Sequence, residues 1–308
     1  MALKKYRYRN DIIISLGSIP IYLAAVHQYG LRVLLVLFFS ILIGFLLEYS
    51  SYKLRKLPPA GYGFLTWILF PLFFPPVFPV WMCAAAVFFG SLVCVVFFGG
   101  YGKELISPIP VGIAFASLSY TSAFNFGWSK PFMEMGYGFS QFTASTLTID
   151  HPVDYYLSKG PIPVINILWG QTPQPLANAI PVIVIGTGII LILLRAIDGK
   201  SVIIFGSTLF ILNICFYFAF PDLANNPESV IIGNLLPAAF FIFGDNRFLA
   251  RTHNGRIIIA VLTALLAFLI RNFAEAPEGI FFAIILGNVF SAIIDEAVLK
   301  SQFKGIAV

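Results

Sequence analysis

Hydroxyl-bearing residues cluster in one polar stretch of an otherwise apolar chain. Thr143, Ser145, Thr146 and Thr148 occur within six residues, beside aromatic and small side chains. A hydroxyl oxygen can carry a phosphate ester, and apolar and aromatic neighbours can hold a planar ring. The same residue types are also common in surface turns and helix caps. Composition alone therefore leaves a modification site and an ordinary loop both open.

The other residues that could perform chemistry are few and scattered. His27, His151 and His253 each lie in a predicted loop. Paired haem ligation needs ligands on facing spans, so a haem protein is not expected. The sequence contains no motif of a hydrolase, a nucleotide-binding loop or a metal site. The cysteines lie in apolar runs, which predicts small buried fillers: Cys83, Cys94 and Cys215.

Composition indicates the environment that must hold these residues. Of the 308 residues, 59% are hydrophobic and only 11% are charged, whereas a soluble domain has about 25% charged residues. We therefore expect an all-α integral membrane protein surrounded by the lipid bilayer. The formal charge of +5 is interpreted as a topology signal, because the basic residues lie in short loops. No nucleic-acid partner is expected.

Hydropathy predicts about ten membrane-spanning helices, since each span needs about 20 largely apolar residues. Two of them, the third and the eighth, are interrupted by Pro71 and Pro237. The predicted spans are 12–28, 31–49, 61–77, 79–98, 108–124, 177–195, 201–219, 229–244, 256–272 and 279–295.

The distribution of basic residues predicts the orientation. With the N-terminus inside, cytoplasmic segments hold fifteen Lys and Arg residues and outer segments hold four. This bias favours cytoplasmic N- and C-termini and an even number of spans.

A long central segment divides the chain. Residues 125–176 are rich in Pro, Gly and aromatic residues and are too polar to span, so we expect them to fold onto the outer face. The segment separates a first five-span half, residues 1–124, from a second, residues 177–308. An odd number of spans per half predicts an inverted repeat, and such repeats build sites between their broken helices.

Ionisable residues are placed at the ends of the predicted spans, with none near mid-bilayer. They are Asp11, Glu48, Arg195, Asp245, Arg271 and Asp295. This placement argues against a buried carboxylate relay within this chain alone. For Arg271 and Glu278, both a structural pair at a helix end and a phosphate clamp remain open.

Several motifs carry a family resemblance. They include Ala276-Pro-Glu-Gly279 followed by Asn288, Phe74-Pro-Pro-Val-Phe-Pro79, and Phe97-Phe-Gly-Gly-Tyr-Gly102. On these stretches the whole chain resembles the NqrB/RnfD family of bacterial membrane redox subunits. That family comprises the B subunit of the sodium-pumping NADH:quinone oxidoreductase and the D subunit of the Rnf electron-transport complex. The resemblance implies a multi-pass protein of the bacterial cytoplasmic (inner) membrane.

The resemblance also implies a cofactor. Family members carry FMN joined through its phosphate to a threonine in a motif like D-x-x-S-G-A-T on the outer side. The matching stretch here is Ser140-Gln-Phe-Thr143-Ala-Ser-Thr146. It makes Thr146 the expected FMN-bearing residue, with Thr143 and Ser145 as cofactor-binding neighbours. The chain departs from the motif at Ser140 and Ala144, where the family has aspartate and glycine.

The function implied by the resemblance is an electron relay through FMN at the outer membrane face, within a flavin-dependent oxidoreductase complex coupled to ion translocation. Its expected partners are the other membrane subunits, a flavin transferase and an extracytoplasmic flavoprotein. Two alternatives belong to other classes. One is a transporter or channel for a small solute or flavin, and the other is a membrane scaffold without a cofactor.

Overall fold

The fold is a bundle of helices with very little strand. A computed structural model describes residues 2–56, 61–132, 136–143, 148–149, 151–159, 162–220, 227–274, 276 and 278–303. The longer helices are α1 (Ala2–Tyr29), α2 (Arg32–Arg55), α4 (Val80–Ser91), α5 (Pro108–Ser119), α9 (Pro181–Leu193), α10 (Gly199–Ala219), α12 (His253–Phe273) and α13 (Gly279–Phe303).

Short elements complete the described chain. The short helices are α3 (Phe64–Leu69), α6 (Thr121–Phe126), α7 (Pro152–Lys159), α8 (Val164–Leu168) and α11 (Leu235–Ala238). Single 3-10 turns occur at Phe70–Phe73, Tyr137–Phe139, Leu176–Asn178 and Pro227–Ile231, and π-helical turns at Leu92–Val96 and Ala239–Phe243. The strands β1 (Trp128–Ser129) and β2 (Thr148–Ile149) pair antiparallel, with Ser129 opposite Thr148.

The prediction of an all-α, multi-pass membrane protein is confirmed at this level. In the part of the chain that the structure describes, five helices are long and apolar enough to cross a membrane: Arg9–Tyr29, Arg32–Arg55, Gly199–Ala219, His253–Phe273 and Gly279–Gln302. The other five predicted spans coincide with shorter or broken helices, so the count of ten and the repeat remain predictions. We use "outer end" for the end of the bundle that the charge count assigns to the outside.

Only one of the two predicted interruptions is caused by its proline. Pro71 lies in the 3-10 turn that ends α3, because proline has no amide hydrogen and clashes with the preceding turn. Pro237 is instead the third residue of α11, a first-turn position that tolerates proline, and the helical turns continue to Phe243. The break in this segment lies before α11, at Ile232–Asn234.

The two predicted halves interlock. Helix α1 packs against α9, and α5 packs against α13, while α12 lies along both α10 and α13. The core between them is aromatic, with Trp67, Phe70 and Phe281 fully buried. Apolar residues also cover the outside; Phe218 on α10, for example, is 78% exposed, as expected of a surface that faces lipid.

Cys215 corrects one prediction. Cys83 and Cys94 are buried as expected, but Cys215 is exposed. An apolar run does not distinguish the core side of α10 from its lipid side, because both are hydrophobic in a membrane helix.

Glycines allow α4 and α5 to cross closely. A side chain at Gly112 would meet the Ala86 carbonyl oxygen at 2.5 Å and would also overlap the Phe70 ring. From the other helix, a side chain at Gly90 would meet the Pro108 carbonyl oxygen at 2.5 Å. Small residues at such crossings let helix backbones approach, which drives helix association in lipid.

We predict that Gly112→Ala destabilises the protein, because the new methyl group overlaps the α4 backbone; overpacking of this kind costs about 1–3 kcal/mol. The matched control is Gly186→Ala on α9, where an added methyl group meets no atom within 4 Å. Thermal unfolding in detergent, followed by size-exclusion chromatography, measures both. Equal unfolding midpoints for the two variants would contradict the proposed crossing.

Candidate functional site

The hydroxyl-bearing stretch begins at a described, exposed residue. Thr143 lies exposed in a bend directly after Phe142. Ser145 and Thr146 lie outside the described residues. The description resumes at Thr148, the first residue of β2. The structure therefore describes the two ends of this stretch, at Thr143 and at Thr148.

Both ends are anchored by backbone hydrogen bonds. On the N-terminal side, the amides of Leu31 and Arg32 donate to the carbonyls of Gln141 and Phe142, at 2.9 and 2.8 Å. On the C-terminal side, Thr148 pairs with Ser129 in the two-stranded sheet. The stretch thus runs between the α1–α2 turn and β1, both at the outer end of the bundle.

A glycine brings the preceding turn onto α1. A side chain at Gly138 would overlap the carbonyl oxygens of both His27 and Val26. Only a residue without a side chain permits this approach. Nearby, the Phe132 amide donates to the Gln28 carbonyl at 3.0 Å. The central segment therefore folds against the end of α1, as the sequence predicted.

A cavity of about 660 Å³ lies beside this contact, between the outer ends of α1 and α9. We call it the outer cavity. Clefts that bind small molecules typically have volumes of about 300–1,000 Å³. Its lining includes His27, Gln28, Phe132, Phe139, Trp169 and Ile183. The lining thus combines aromatic side chains, a few polar groups and apolar residues.

One polar group beside the outer cavity lacks a partner. The Gln28 Nε2 donates to the Gly170 carbonyl at 2.9 Å, while the buried Oε1 has no hydrogen-bond partner. A carbonyl only accepts, so this bond fixes the orientation of the amide. The Nδ1 of His27 is likewise buried and unpartnered. Buried polar atoms are normally satisfied; among the described residues these two atoms are exceptions, and both are enclosed by protein rather than open to the outer cavity.

A polar network lies next to the strand pair. The His151 Nε2 lies 3.2 Å from the Glu278 Oε1, and Asn234 Nδ2 donates to both Glu278 oxygens at 3.0 and 2.9 Å. The Val153 amide donates to His151 Nδ1 at 3.2 Å. A neutral imidazole with its proton on Nε2 satisfies both contacts. His151, two residues after β2, is thereby tied to the start of α13.

The network continues towards α1. Asn178 Nδ2 and the Gly233 amide donate to Gln174 Oε1 at 3.1 and 2.9 Å. The backbone amide of Gln174 in turn donates to the Tyr29 hydroxyl at 3.0 Å. Residue Asn234, next to Gly233, also donates to the Phe73 carbonyl at 3.2 Å. Through these bonds the network joins α1, the turn that follows α3, the residues before α11 and the central segment.

Among the described residues, Arg271 bonds a backbone carbonyl and forms no ion pair with Glu278; a phosphate clamp remains a prediction. Its Nη2 donates to the Ser229 carbonyl at 2.8 Å, and its buried Nε has no partner. Glu278 is bound by Asn234 and His151 instead. Among the described residues, the contacts of Arg271 are therefore a backbone carbonyl rather than a carboxylate pair.

A second buried carboxyl group lies near the other end of the bundle. Glu48, 1% exposed, accepts from the Gly63 amide at 3.2 Å and so caps the start of α3. Its Oε1 and the Trp67 Nε1 are buried without partners. Negative groups are stabilised at helix N-termini.

Ion pairs stabilise the loops at the end of the bundle opposite the outer end. Arg247 pairs with Asp245 at 2.6 Å, and Arg256 pairs with Asp198 at 3.4 Å. Burial alone would lower the pKa of Arg247, but the charges of Asp245, Asp11 and Glu104 and the hydrogen bond to Asp245 together outweigh it and raise the pKa above its usual value. Arg247 therefore stays charged as a structural residue.

Sequence reasoning missed two features of this site. His27 lies inside α1 rather than in a loop, which corrects the prediction, and His151 belongs to a buried network rather than standing alone. The available signal was a polar residue shortly before a proline within an apolar run, such as Asn234 before Pro237. Pairing them required knowing which distant segments meet.

Comparison with known proteins gives a consistent family. The sequence model described as the NQR2, RnfD, RnfE family matches residues 6–304. The D subunit of the ion-translocating oxidoreductase complex of Buchnera aphidicola subsp. Acyrthosiphon pisum (strain 5A) is 25% identical, covering 92% of this chain and 91% of that protein. The equivalent protein of Aliivibrio salmonicida (strain LFI1238), which bears the same name, is 27% identical, covering 92% and 90%.

A second kind of relative matches less of its own length. The B subunit of the Na(+)-translocating NADH-quinone reductase of Pseudomonas aeruginosa (strain LESB58) is 26% identical over 78% of this chain and 60% of that protein. The similarity to the first two relatives therefore covers both predicted halves, together with the outer segment.

We predict that Glu278→Gln loosens the outer end. The new amide group would face the Asn234 and His151 donors with a donor of its own, and an unsatisfied buried polar group costs about 1–3 kcal/mol. Limited proteolysis of the outer segment and the thermal midpoint measure the effect. The matched control is Glu296→Gln on α13, whose partner Lys300 is 73% exposed and whose own side chain is 67% exposed; no change is expected there. Equal behaviour of the two variants would refute the role of Glu278.

Proposed function

The chain belongs to the NQR2, RnfD, RnfE family, and from this premise we propose that it is a membrane subunit of a flavin-dependent electron-transport complex. Its relatives bear the names of an ion-translocating oxidoreductase subunit and an NADH-quinone reductase subunit. The proposed activity is electron relay at the outer end, coupled to ion translocation by the complex as a whole. Other membrane subunits and an extracytoplasmic flavoprotein are the proposed partners.

The proposed cofactor is FMN attached to Thr146 as a phosphodiester. The supporting observation is that the hydroxyl-bearing stretch is anchored at both ends, by Leu31 and Arg32 on one side and by Ser129 on the other. In sequence, Thr146 precedes Thr148, the first residue of β2, by two residues. A flavin there would stay close to the outer end.

Residues at the outer end fit a flavin. The outer cavity has aromatic walls, which suit a planar ring. When bound, FMN supplies one-electron redox chemistry, while the protein sets its position and surroundings. The described chain contributes a rigid anchor and apolar walls that limit access of water.

Attachment requires an activated donor and a separate flavin transferase. With a flavin dinucleotide as donor, the bond from Thr146 Oγ to the FMN phosphorus forms and the phosphoanhydride bond breaks. The nucleotide half leaves and takes up the hydroxyl proton. Thr143 and Ser145 are proposed as neighbouring cofactor-binding residues. Exposure of Thr143 leaves this end of the stretch accessible to such an enzyme.

We predict that Thr146→Ala abolishes covalent flavin, because alanine has no oxygen to esterify. The protein is coexpressed with a flavin transferase, denatured, and examined for flavin fluorescence in a gel. The matched variant Thr143→Ala, three residues earlier, is expected to keep the fluorescent band.

A dark wild-type band, with the transferase active on a control substrate, would contradict the attachment. The transporter or channel and the cofactor-free scaffold would then become the favoured functions. A bright band in the Thr146→Ala protein, lost in Thr143→Ala, would instead move the attachment to Thr143.

A further inference from the structure

We propose that a small cavity between the first turns of α10 and α12 binds the phosphate headgroup of an anionic phospholipid. The cavity lies at the inner end of the bundle, opposite the outer end, and we call it the inner cavity. Its volume is about 210 Å³, and its lining includes Lys200, His253, Arg256 and Asp198, with Ile204 and Ile257 beside them. The inference is independent of the proposed flavin chemistry.

Two side chains of the inner cavity are available to an anion. Lys200 and His253 are both exposed. Within the described chain, neither forms an ion pair or a side-chain hydrogen bond. A lysine ammonium group carries three N–H donors and a full positive charge, and an imidazole ring adds a further donor. The lining therefore has donors and positive charge that the described protein does not use.

The acid in the lining is already engaged. Asp198 accepts from the Ser201 hydroxyl, and its Oδ1 lies 3.4 Å from Arg256 Nη1. The Arg256 Nε donates to the Ala250 carbonyl at 2.9 Å. Arg256 is thus fixed at the cavity and its charge is balanced by Asp198. The excess positive charge of the lining comes from Lys200, and from His253 when it is protonated.

The two helices strengthen the positive field at the inner cavity. Helices α10 and α12 pack against each other, and both begin at residues next to the cavity, Gly199 and His253. Since both run away from the inner end, their dipoles place partial positive charge at the same point. An anion between the first turns is stabilised by both dipoles as well as by Lys200.

The surroundings of the inner cavity favour a lipid over a soluble anion. Ile204 and Ile257 lie one helical turn beyond Lys200 and His253, because residues four apart share a helix face. Ile257 is 37% exposed, and Val261, one turn further along α12, is exposed as well. A phosphate bound at Lys200 therefore has apolar surface directly beside it, where acyl chains can lie. A soluble anion would leave that surface without a partner.

The size and position of the cavity agree with a headgroup site. A volume of about 210 Å³ is smaller than the roughly 300–1,000 Å³ of clefts that enclose whole small molecules, so only the headgroup enters. Helix α10 lies at the edge of the bundle, since only 22% of its apolar stretch is buried. Basic pockets between membrane helices at the cytoplasmic side are known to bind anionic headgroups, and the charge count assigns this end to the cytoplasm.

The experiment measures lipid binding to the full-length protein in detergent by native mass spectrometry. Phosphatidylglycerol and phosphatidylcholine with identical acyl chains are titrated separately. We expect phosphatidylglycerol to bind more tightly. Lys200→Ala is expected to weaken its binding about fivefold through the lost charge, and to leave phosphatidylcholine binding unchanged. His253→Ala is expected to weaken phosphatidylglycerol binding about two- to tenfold through the lost donor.

Lys53→Ala is the matched control. Lys53 is an exposed lysine at the inner end of α2, outside the inner cavity. Its replacement changes the net charge by the same amount and is expected to leave phosphatidylglycerol binding unchanged. Since Lys200 and His253 are both exposed, either variant tests the site even if the other fails to fold.

Each outcome decides the inference. A preference for phosphatidylglycerol that depends on Lys200 or His253 but not on Lys53 supports it. Equal binding of the two lipids, or equal losses in the Lys200 and Lys53 variants, overturns it, because the attraction is then a general effect of surface charge. Displacement of phosphatidylglycerol by inorganic phosphate or by a glutamate-rich peptide, at the same concentration as the lipid, also overturns it and assigns the cavity to a soluble anion or an acidic protein segment.

Discussion

The amide of Asn234 is the contact on which the outer end of the bundle depends. In lipid, backbone groups freed by a broken helix must find partners inside the protein. Proline ends α3, and the Phe73 carbonyl left at that break is bonded by Asn234, the residue just before α11, at 3.2 Å. The same amide binds both oxygens of Glu278. One side chain thus satisfies a carbonyl freed at a helix break and a buried carboxylate.

This contact links the membrane core to the outer segment. Glu278 also contacts His151. His151 lies two residues after β2, the strand at the C-terminal end of the hydroxyl-bearing stretch. On the other side, Gln174 reaches Tyr29 at the end of α1, next to Gln28 and the outer cavity. The polar network and the outer cavity thus meet at the end of α1, where the hydroxyl-bearing stretch is held from two sides.

The sequence predicted the fold class well because it depends on composition. Apolar length and proline positions are local properties, so the helices and the break at Pro71 were predictable, whereas Pro237 lies in the first turn of α11 and does not break it. The network could not, since His151 and Glu278 are 127 residues apart and Asn234 and Glu278 are 44 apart. Similarly, the outer cavity combines α1, two parts of the central segment and α9. The hydroxyl motif was visible, but Ser145 and Thr146 lie outside the described residues, so their roles rest on resemblance.

The positions of the buried acids bear on ion movement. Within the described chain they are Glu48, Asp245 and Glu278, and each lies near a helix end or in a loop. Between them the core is aromatic, with Trp67 and Phe70 fully buried. Moving a cation through such a core would forfeit its hydration without replacement ligands, which costs many kcal/mol. Ion translocation by the proposed complex would therefore need a path other than the aromatic core of the described chain, such as surfaces formed with other subunits.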